Sequence, residues 1–195
     1  MKKQFIICLL LTSLFSQSFK DLSERPVYKP FKMSSSITFD GKVDLEEWGN
    51  AQVATNFIGS GSFQGEDALL KTEARLMYDD TNLYISFKAF VDRDELRYSI
   101  TKRDNLDDKD DRVWINIDAF DDESLTYGIG VSAGGAQIDG RATYGFDQSL
   151  DLVYDTKVQI FDNRYEVEMV IPFSSLRYSI AQIQTWRIDS GRGFT

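Results

Sequence analysis

Period-two alternation restricts this chain more than any other feature. Apolar residues recur at every second position in one segment after another, and no stretch after the first 18 residues holds a helical period beyond about two turns. Across residues 71–78, Thr72, Ala74, Leu76 and Tyr78 share one face while Lys71, Glu73 and Arg75 share the other. The turn Asp79-Asp80-Thr81-Asn82 leads to Leu83, Ile85, Phe87 and Ala89 on one face of a second strand, so the two form a hairpin. Residues 112–118 turn Val113, Ile115 and Ile117 inward and Trp114 and Asn116 outward. Residues 127–133 and 153–160 read as further strands. Tyr165, Val167, Met169 and Ile171 line another, which Pro172 ends, and Trp186, Ile188 and Ser190 continue the pattern. Many short strands with Gly- and Asp-rich turns predict an all-β fold, a two-sheet antiparallel β-sandwich of immunoglobulin-like or jelly-roll type. The girdled, lipid-facing alternation of a membrane barrel is not present.

One short helix is expected near the start of the domain. Residues 37–39 read as a strand stopped by the turn pair Asp40-Gly41; Asp44 then stands as N-cap, Glu47 at the capping-box position, and Val43 with Trp48 as a hydrophobic staple. That geometry makes Trp48 a structural anchor rather than a ligand platform. Further upstream, Lys2 and Lys3, an apolar run over 5–15 and the small residues Ser16 and Ser18 have the order of a secretory leader over residues 1–18. The run is shorter than the roughly 20 residues that span a bilayer. Residues 19–36, with Pro26, Pro30 and three consecutive serines, read as an extended lead-in, and 37–195 as one domain. The expected location is therefore outside the cytosol: periplasm, cell surface or extracellular space.

Composition then narrows the chemistry. The chain has no histidine, which removes Ser-His-Asp and Cys-His nucleophiles and the usual zinc sites. Its one cysteine, Cys8, lies in the leader, so no disulfide is expected in the mature chain. Acidic residues outnumber basic ones 31 to 22, a balance that repels nucleic acid and anionic lipid headgroups and leaves neutral ligands, cations or another protein as partners.

Four segments in order, ITFDGKVDLEEWGNA (37–51), ARLMYDDTNLYISFKAFVD (74–92), DDRVWINIDAF (110–120) and YEVEMVIPFSSL (165–176), resemble family 9 carbohydrate-binding modules. The likeness is closer to a subset found at the N-terminus of long Gram-negative outer-membrane proteins, ahead of a large β-barrel. The resemblance implies an exported, non-catalytic domain that binds a glycan or oligosaccharide within a polysaccharide-degradation or uptake system. Two other readings stand beside it: a periplasmic or outer-membrane docking domain without sugar affinity, partnered by the β-barrel, and a component of a glycoside hydrolase. Sugar-binding members clamp their ligand between two tryptophans. By the resemblance one clamp position falls near Asp108, the carboxylate that follows it falls at Trp114, and the second clamp lies in a C-terminal segment not contained here. The chain accordingly reads as truncated ahead of the barrel.

Trp114 is the first candidate for ligand binding, because an outward indole offers an apolar face on which the C–H face of a sugar can stack. Arg112, Asn116 and Tyr127 or Tyr144 are candidates for the polar contacts. The run Asp104, Asp107, Asp108, Asp110 and Asp111, with Asp121 and Asp122 beyond, holds oxygen ligands of the kind calcium takes; the resemblance to family 9 implies a structural calcium, for which Asp107, Asp108, Asp110 and Asp111 are the candidate ligands. The run lacks the Gly and final Glu of an EF-hand loop, and a solvated acidic loop is the alternative. Glu166 and Glu168, about 7 Å apart at i and i+2 on a strand, invite a glycosidase reading, but their outward face is expected to meet solvent, with no pocket to raise either pKa. Gly134-Gly135 and Gly191-Arg192-Gly193 read as turns.

Overall fold

The computed structural model describes residues 28–55, 57–59, 66–105, 107, 109–143 and 146–194. The leader at 1–18, Asp108 and Tyr144 lie outside the described residues. The chain divides into two units. In the smaller, Ile58 and Asp67 form an isolated antiparallel bridge, with the Gly59 N–H on Glu66 O and the Ala68 N–H on Phe57 O. The larger covers residues 30–55 and 70–194 and carries everything below.

Its elements are β1 (Phe31–Lys32), α1 (Leu45–Trp48), β2 (Thr72–Tyr78), β3 (Asn82–Phe90), β4 (Arg112–Asp118), β5 (Thr126–Ser132), β6 (Gln137–Ala142), β7 (Phe146–Asp147), β8 (Asp155–Ile160), β9 (Arg164–Pro172) and β10 (Arg187–Gly193). They form two five-stranded sheets, ordered β1-β2-β3-β9-β8 and β10-β4-β5-β6-β7. Every pair is antiparallel except β1 with β2. This is the expected β-sandwich with very little helix.

The alternation fixes the core between the sheets. In the β2–β3 hairpin Leu76 stands opposite Ile85 and Ala74 opposite Phe87, and β3 in turn sets Ile85 against Met169 and Phe87 against Val167. These side chains are buried, as are Val113, Ile115 and Ile117 of β4 and Ile129 and Val131 of β5. Each large aliphatic or aromatic side chain buried here contributes about 1.5–3 kcal/mol. Arg192 ties the two sheets: from β10 its Nη1 donates to Phe90 O at the end of β3 (2.8 Å), and its Nη2 pairs with the buried Asp111 carboxylate (3.3 Å). The glycines on either side of it belong to β10 rather than to a turn.

The other face of the first sheet departs from expectation. Glu166 and Glu168 do not meet solvent; they are 2 % and 0 % exposed. The segment before and through α1 lies over them and closes a second small core of Val43, Trp48, Ala51 and Met77, with Met33, Ile37 and Tyr84 packed against it. Glu168 Oε2 accepts the N–H groups of Asp40 (3.0 Å) and Gly41 (2.8 Å), and Oε1 accepts the Trp48 indole N–H (2.9 Å). Glu166 Oε2 accepts the Val43 N–H (2.8 Å), and its Oε1 pairs with Arg164 (2.7 Å) and Lys88 (3.4 Å).

Gly41 holds φ at 90°, a conformation that costs a β-carbon dearly, and so turns its N–H onto Glu168. Residues 37–39 form no strand, because the backbone here bonds to side chains instead of to a ladder; the Thr38 N–H goes to Glu47 Oε1 (2.8 Å). That bond also takes Glu47 away from the capping box, and Asp44 caps α1 without a side-chain hydrogen bond. The staple pair Val43 and Trp48 is buried as predicted.

Candidate functional site

The outward face of the second sheet is read from its register. Along β4, Arg112 lies between Gly193 and Ser132, Trp114 between Gly191 and Gly130, and Asn116 between Asp189 and Gly128. Side chains alternate along a strand, so Arg112, Trp114 and Asn116 share this face, opposite the buried Val113, Ile115 and Ile117. Ile138 of β6 extends the Trp114 row beyond Gly130.

Glycine inside a strand costs about 0.5–1 kcal/mol, and it marks places where something must come close. At Gly191 that something is the Trp114 indole. A β-carbon there would sit 2.5 Å from Cε2 and nearer still to Cζ2, so the indole edge occupies the space a side chain would take. On the opposite side, a β-carbon on Gly130 would meet Trp114 Cβ at 3.1 Å and Ile138 Cγ2 at 3.0 Å. Trp114 is thus seated in a notch between two glycines and remains half-buried, its indole N–H unbonded among the described residues. Two residues along the strand, Asn116 Nδ2 donates to Asp189 Oδ2 (3.0 Å), leaving an amide and a carboxylate facing outward together.

Three of the predicted ligand residues, Arg112, Trp114 and Asn116, are therefore brought together. Tyr127 is not with them. It pairs with Ile117 on the inward face of β5, is 4 % exposed, and its hydroxyl accepts the Arg177 N–H (3.0 Å). Asp189, Gly191 and Ile138 belong to this face but were missed. The glycine at 191 was the available signal, once paired in register with Trp114.

The acidic run is drawn into the fold rather than gathered around a centre. Asp111 accepts the Arg97 N–H (3.0 Å) besides pairing with Arg192, and Asp110 accepts from the Ser99 hydroxyl (3.1 Å). Asp107 Oδ1 accepts the Lys109 N–H (3.0 Å), and Asp104 Oδ1 the Asp139 N–H (3.2 Å). Asp110 Oδ2 is, among the described residues of this run, a buried carboxylate oxygen with no hydrogen-bond partner. No group of three or more acidic side chains among the described residues is placed to hold a metal ion, and Asp108, one of the four expected calcium ligands, lies outside them. Asp110 and Asp111 are buried, so the run is not a wholly solvated loop either.

Glu166 and Glu168 also need a different account. Burial does raise the Glu168 pKa, against the donors from Gly41, Trp48 and Asp40. Each of its oxygens nevertheless already accepts a hydrogen bond from the covering segment, and the side chain is fully buried, so it does not face a substrate. Two depressions lie beside α1, one of about 130 Å³ lined by Phe31, Met33, Ile37, Glu46 and Glu47 among others and a more open one of about 510 Å³ lined by Thr38, Asp44, Leu45, Glu46 and Glu47; neither is lined by Glu166 or Glu168. No helix among the described residues is long and apolar enough to cross a membrane.

Three solved structures share this architecture. A family 9 carbohydrate-binding module from Caldicellulosiruptor kristjanssonii in complex with glucose superposes with a TM-score of 0.59 at 19 % identity, over 87 % of this chain and 79 % of that one. The same organism's module in complex with cellotriose gives 0.57 at 20 % identity, over 86 % and 78 %. A Bacteroides uniformis protein assigned to carbohydrate binding gives 0.63 at 11 % identity, over 84 % and 81 %. At these identities the likeness speaks to the fold. No curated protein matches the sequence. The family model "Carbohydrate family 9 binding domain-like" matches residues 39–188, a span that runs from the turn clasped by Glu168, through the Trp114 strand, into β10; this chain belongs to that family.

Proposed function

We propose that the protein binds a neutral oligosaccharide, without chemistry, on the outward face of its second sheet at Trp114. The observation that carries this reading is the seating of a half-exposed indole in the Gly191 notch, with the Asn116–Asp189 pair beside it. A pyranose has an apolar C–H face that stacks on an indole and hydroxyls that need donors and acceptors. Two residues along a strand is about 6.6 Å, so one ring stacked on Trp114 brings its edge to the amide and carboxylate. Membership of a carbohydrate-binding family, and the glucose and cellotriose held by its structural relatives, support the ligand class. The leader read from residues 1–18 supports export.

The test is affinity electrophoresis and calorimetry with glucose, cellotriose and soluble β-glucan. Wild type is retained and Trp114→Ala is not; equal retention of the two overturns the reading. Docking to an outer-membrane β-barrel has one observation in its favour. β10 is the outer strand of its sheet, and none of its backbone groups bonds a further strand among the described residues. A partner strand could add there.

A further inference from the structure

Residues 173–186 join β9 to β10 and fold into a unit of their own. After a single 3-10 turn at Phe173–Ser175, the ring of Phe173 meets Tyr178 at 6.2 Å and Trp186 at 6.1 Å, and those two rings stand 5.7 Å apart. Gln184, itself exposed, bridges across it. Its Oε1 accepts the Trp186 indole N–H (3.2 Å), and its Nε2 donates to the carbonyls of Ser179 (3.0 Å) and Ala181 (2.5 Å). With ends joined by rings and its tip bridged by one exposed side chain, this is a compact loop of the Ω type.

What the loop leaves outside is as informative as what it holds. Ile180 and Ile183 are 105 % and 83 % exposed. A loop ordered by its own bonds gains nothing in the folded protein from holding two isoleucines in water. Single exposed aliphatics are ordinary, but here two stand three residues apart in front of a ring cluster. Charge sharpens the point: no Asp or Glu occurs between Glu168 and Asp189, in a chain with 31 acidic residues, while Arg177 at the loop's base is exposed. Asp121 and Glu123, which flank the loop's exit, are both paired with Arg187.

We propose that this loop docks the protein on the surface of a lipid bilayer. Ile180 and Ile183 enter the acyl boundary, Tyr178 and Trp186 lie at headgroup level as interfacial aromatics do, and Arg177 faces the phosphates. Residues 173–186 themselves carry no carboxylate, and a bare aliphatic tip backed by aromatics matches the polarity gradient of the interface; the exposed Asp121, Asp122 and Glu123 beside the loop's exit select a zwitterionic bilayer over an anionic one as the occupant.

The experiment is flotation of the full chain with phosphatidylcholine vesicles, alongside the double variant Ile180→Ser/Ile183→Ser. Both side chains are exposed, so the variant keeps the wild-type melting temperature. Wild type floats with a blue shift in indole emission, and the double variant binds at least roughly tenfold more weakly. The proposal is overturned if wild type stays with the soluble fraction, if the variant floats equally, or if high salt strips wild type completely, which would mean adsorption by charge alone. Self-association of wild type without flotation, lost in the variant, would likewise overturn it in favour of a second copy as occupant.

Discussion

Replacing Glu168 by alanine tests the reading of the second core most directly. The carboxylate is fully buried and receives the N–H groups of Asp40 and Gly41 and the indole N–H of Trp48. Truncation strands all of these donors beneath the segment 40–51, and each buried donor left without a partner costs about 1–3 kcal/mol. Two terms reduce the sum. Removing a carboxylate that burial has pushed up in pKa relieves its own desolvation, and water entering the vacated space satisfies part of the inventory. The expected net loss is about 3–5 kcal/mol, a large fraction of the roughly 5–15 kcal/mol that holds a domain together. Glu168→Gln keeps the shape and one acceptor and should lose about half as much, and Trp48→Phe about 1–2 kcal/mol for its single bond. Urea unfolding followed by near-ultraviolet circular dichroism measures these values, and a Glu168→Gln/Trp48→Phe double-mutant cycle isolates the shared bond. A Glu168→Ala protein within about 1 kcal/mol of wild type would show that the clasp contributes little and that the segment 40–51 is held by apolar packing alone.

Two further outcomes follow from named atoms. Gly191→Ala places a methyl where the Trp114 indole now lies, so it should cost about 1–3 kcal/mol in urea titration and abolish glycan retention on affinity gels. Gly135→Ala, with nothing near its β-carbon but φ at 85°, should cost only backbone strain of about 1 kcal/mol or more and leave retention intact; equal retention by both variants would separate the notch from binding. Stability against pH should show two limbs of opposite sign, measured from about pH 2 to about pH 7. Burial raises the Glu168 carboxyl above its ordinary 4.5, so its contribution is complete below that value and is lost as pH rises through the folded pKa; Glu168→Gln removes this limb. Burial also opposes ionisation of Asp79, but the Thr81 N–H, the Tyr84 hydroxyl and the Asn82 N–H outweigh it and bring the group to about 2. Its contribution is present above 3.8 and lost as pH falls toward 2, and Asp79→Asn removes that limb.

The inter-sheet core was legible because alternation reports directly on which side of a strand is dry. Leu83, Ile85, Phe87 and Ala89 needed no more information than their spacing. Alternation is silent on the other side of the same strands, where polarity normally means water. Glu166 and Glu168 look solvated by that rule, yet their partners Val43 and Gly41 lie 123 and 127 residues earlier, and nothing local announces the cover. β6 escaped notice for a related reason. Its sequence QIDGRA turns Asp139 toward the interior, where Arg103 and the Leu152 N–H satisfy it, so the strand lacks an apolar stripe. The glycines at 191 and 193 were read as turn residues because that is where glycine is commonest. In β10 they instead make room for Trp114 and Arg112, a role visible only once the register is known.

The protein builds the same kinds of residue into two constellations that behave oppositely. At the cover over the first sheet, Trp48, Glu168 and Gly41 satisfy one another: the indole and the glycine backbone both donate to the carboxylate, which is fully buried beneath them. On the far sheet, Trp114, Asp189 and Gly191 stand in neighbouring register positions but do not close on themselves. Gly191 yields space instead of a hydrogen bond, the Trp114 N–H is unbonded among the described residues, and Asp189 is held only through the amide of Asn116. A closed inventory rigidifies a fold, because any ligand would have to break bonds already made. An open one on a strand-anchored platform costs little in water, where the polar groups are hydrated, and becomes favourable when a ring with an apolar face and peripheral hydroxyls displaces that water. Residue identity is alike in the two places, so it is the state of the hydrogen bonds that separates anchor from binding face.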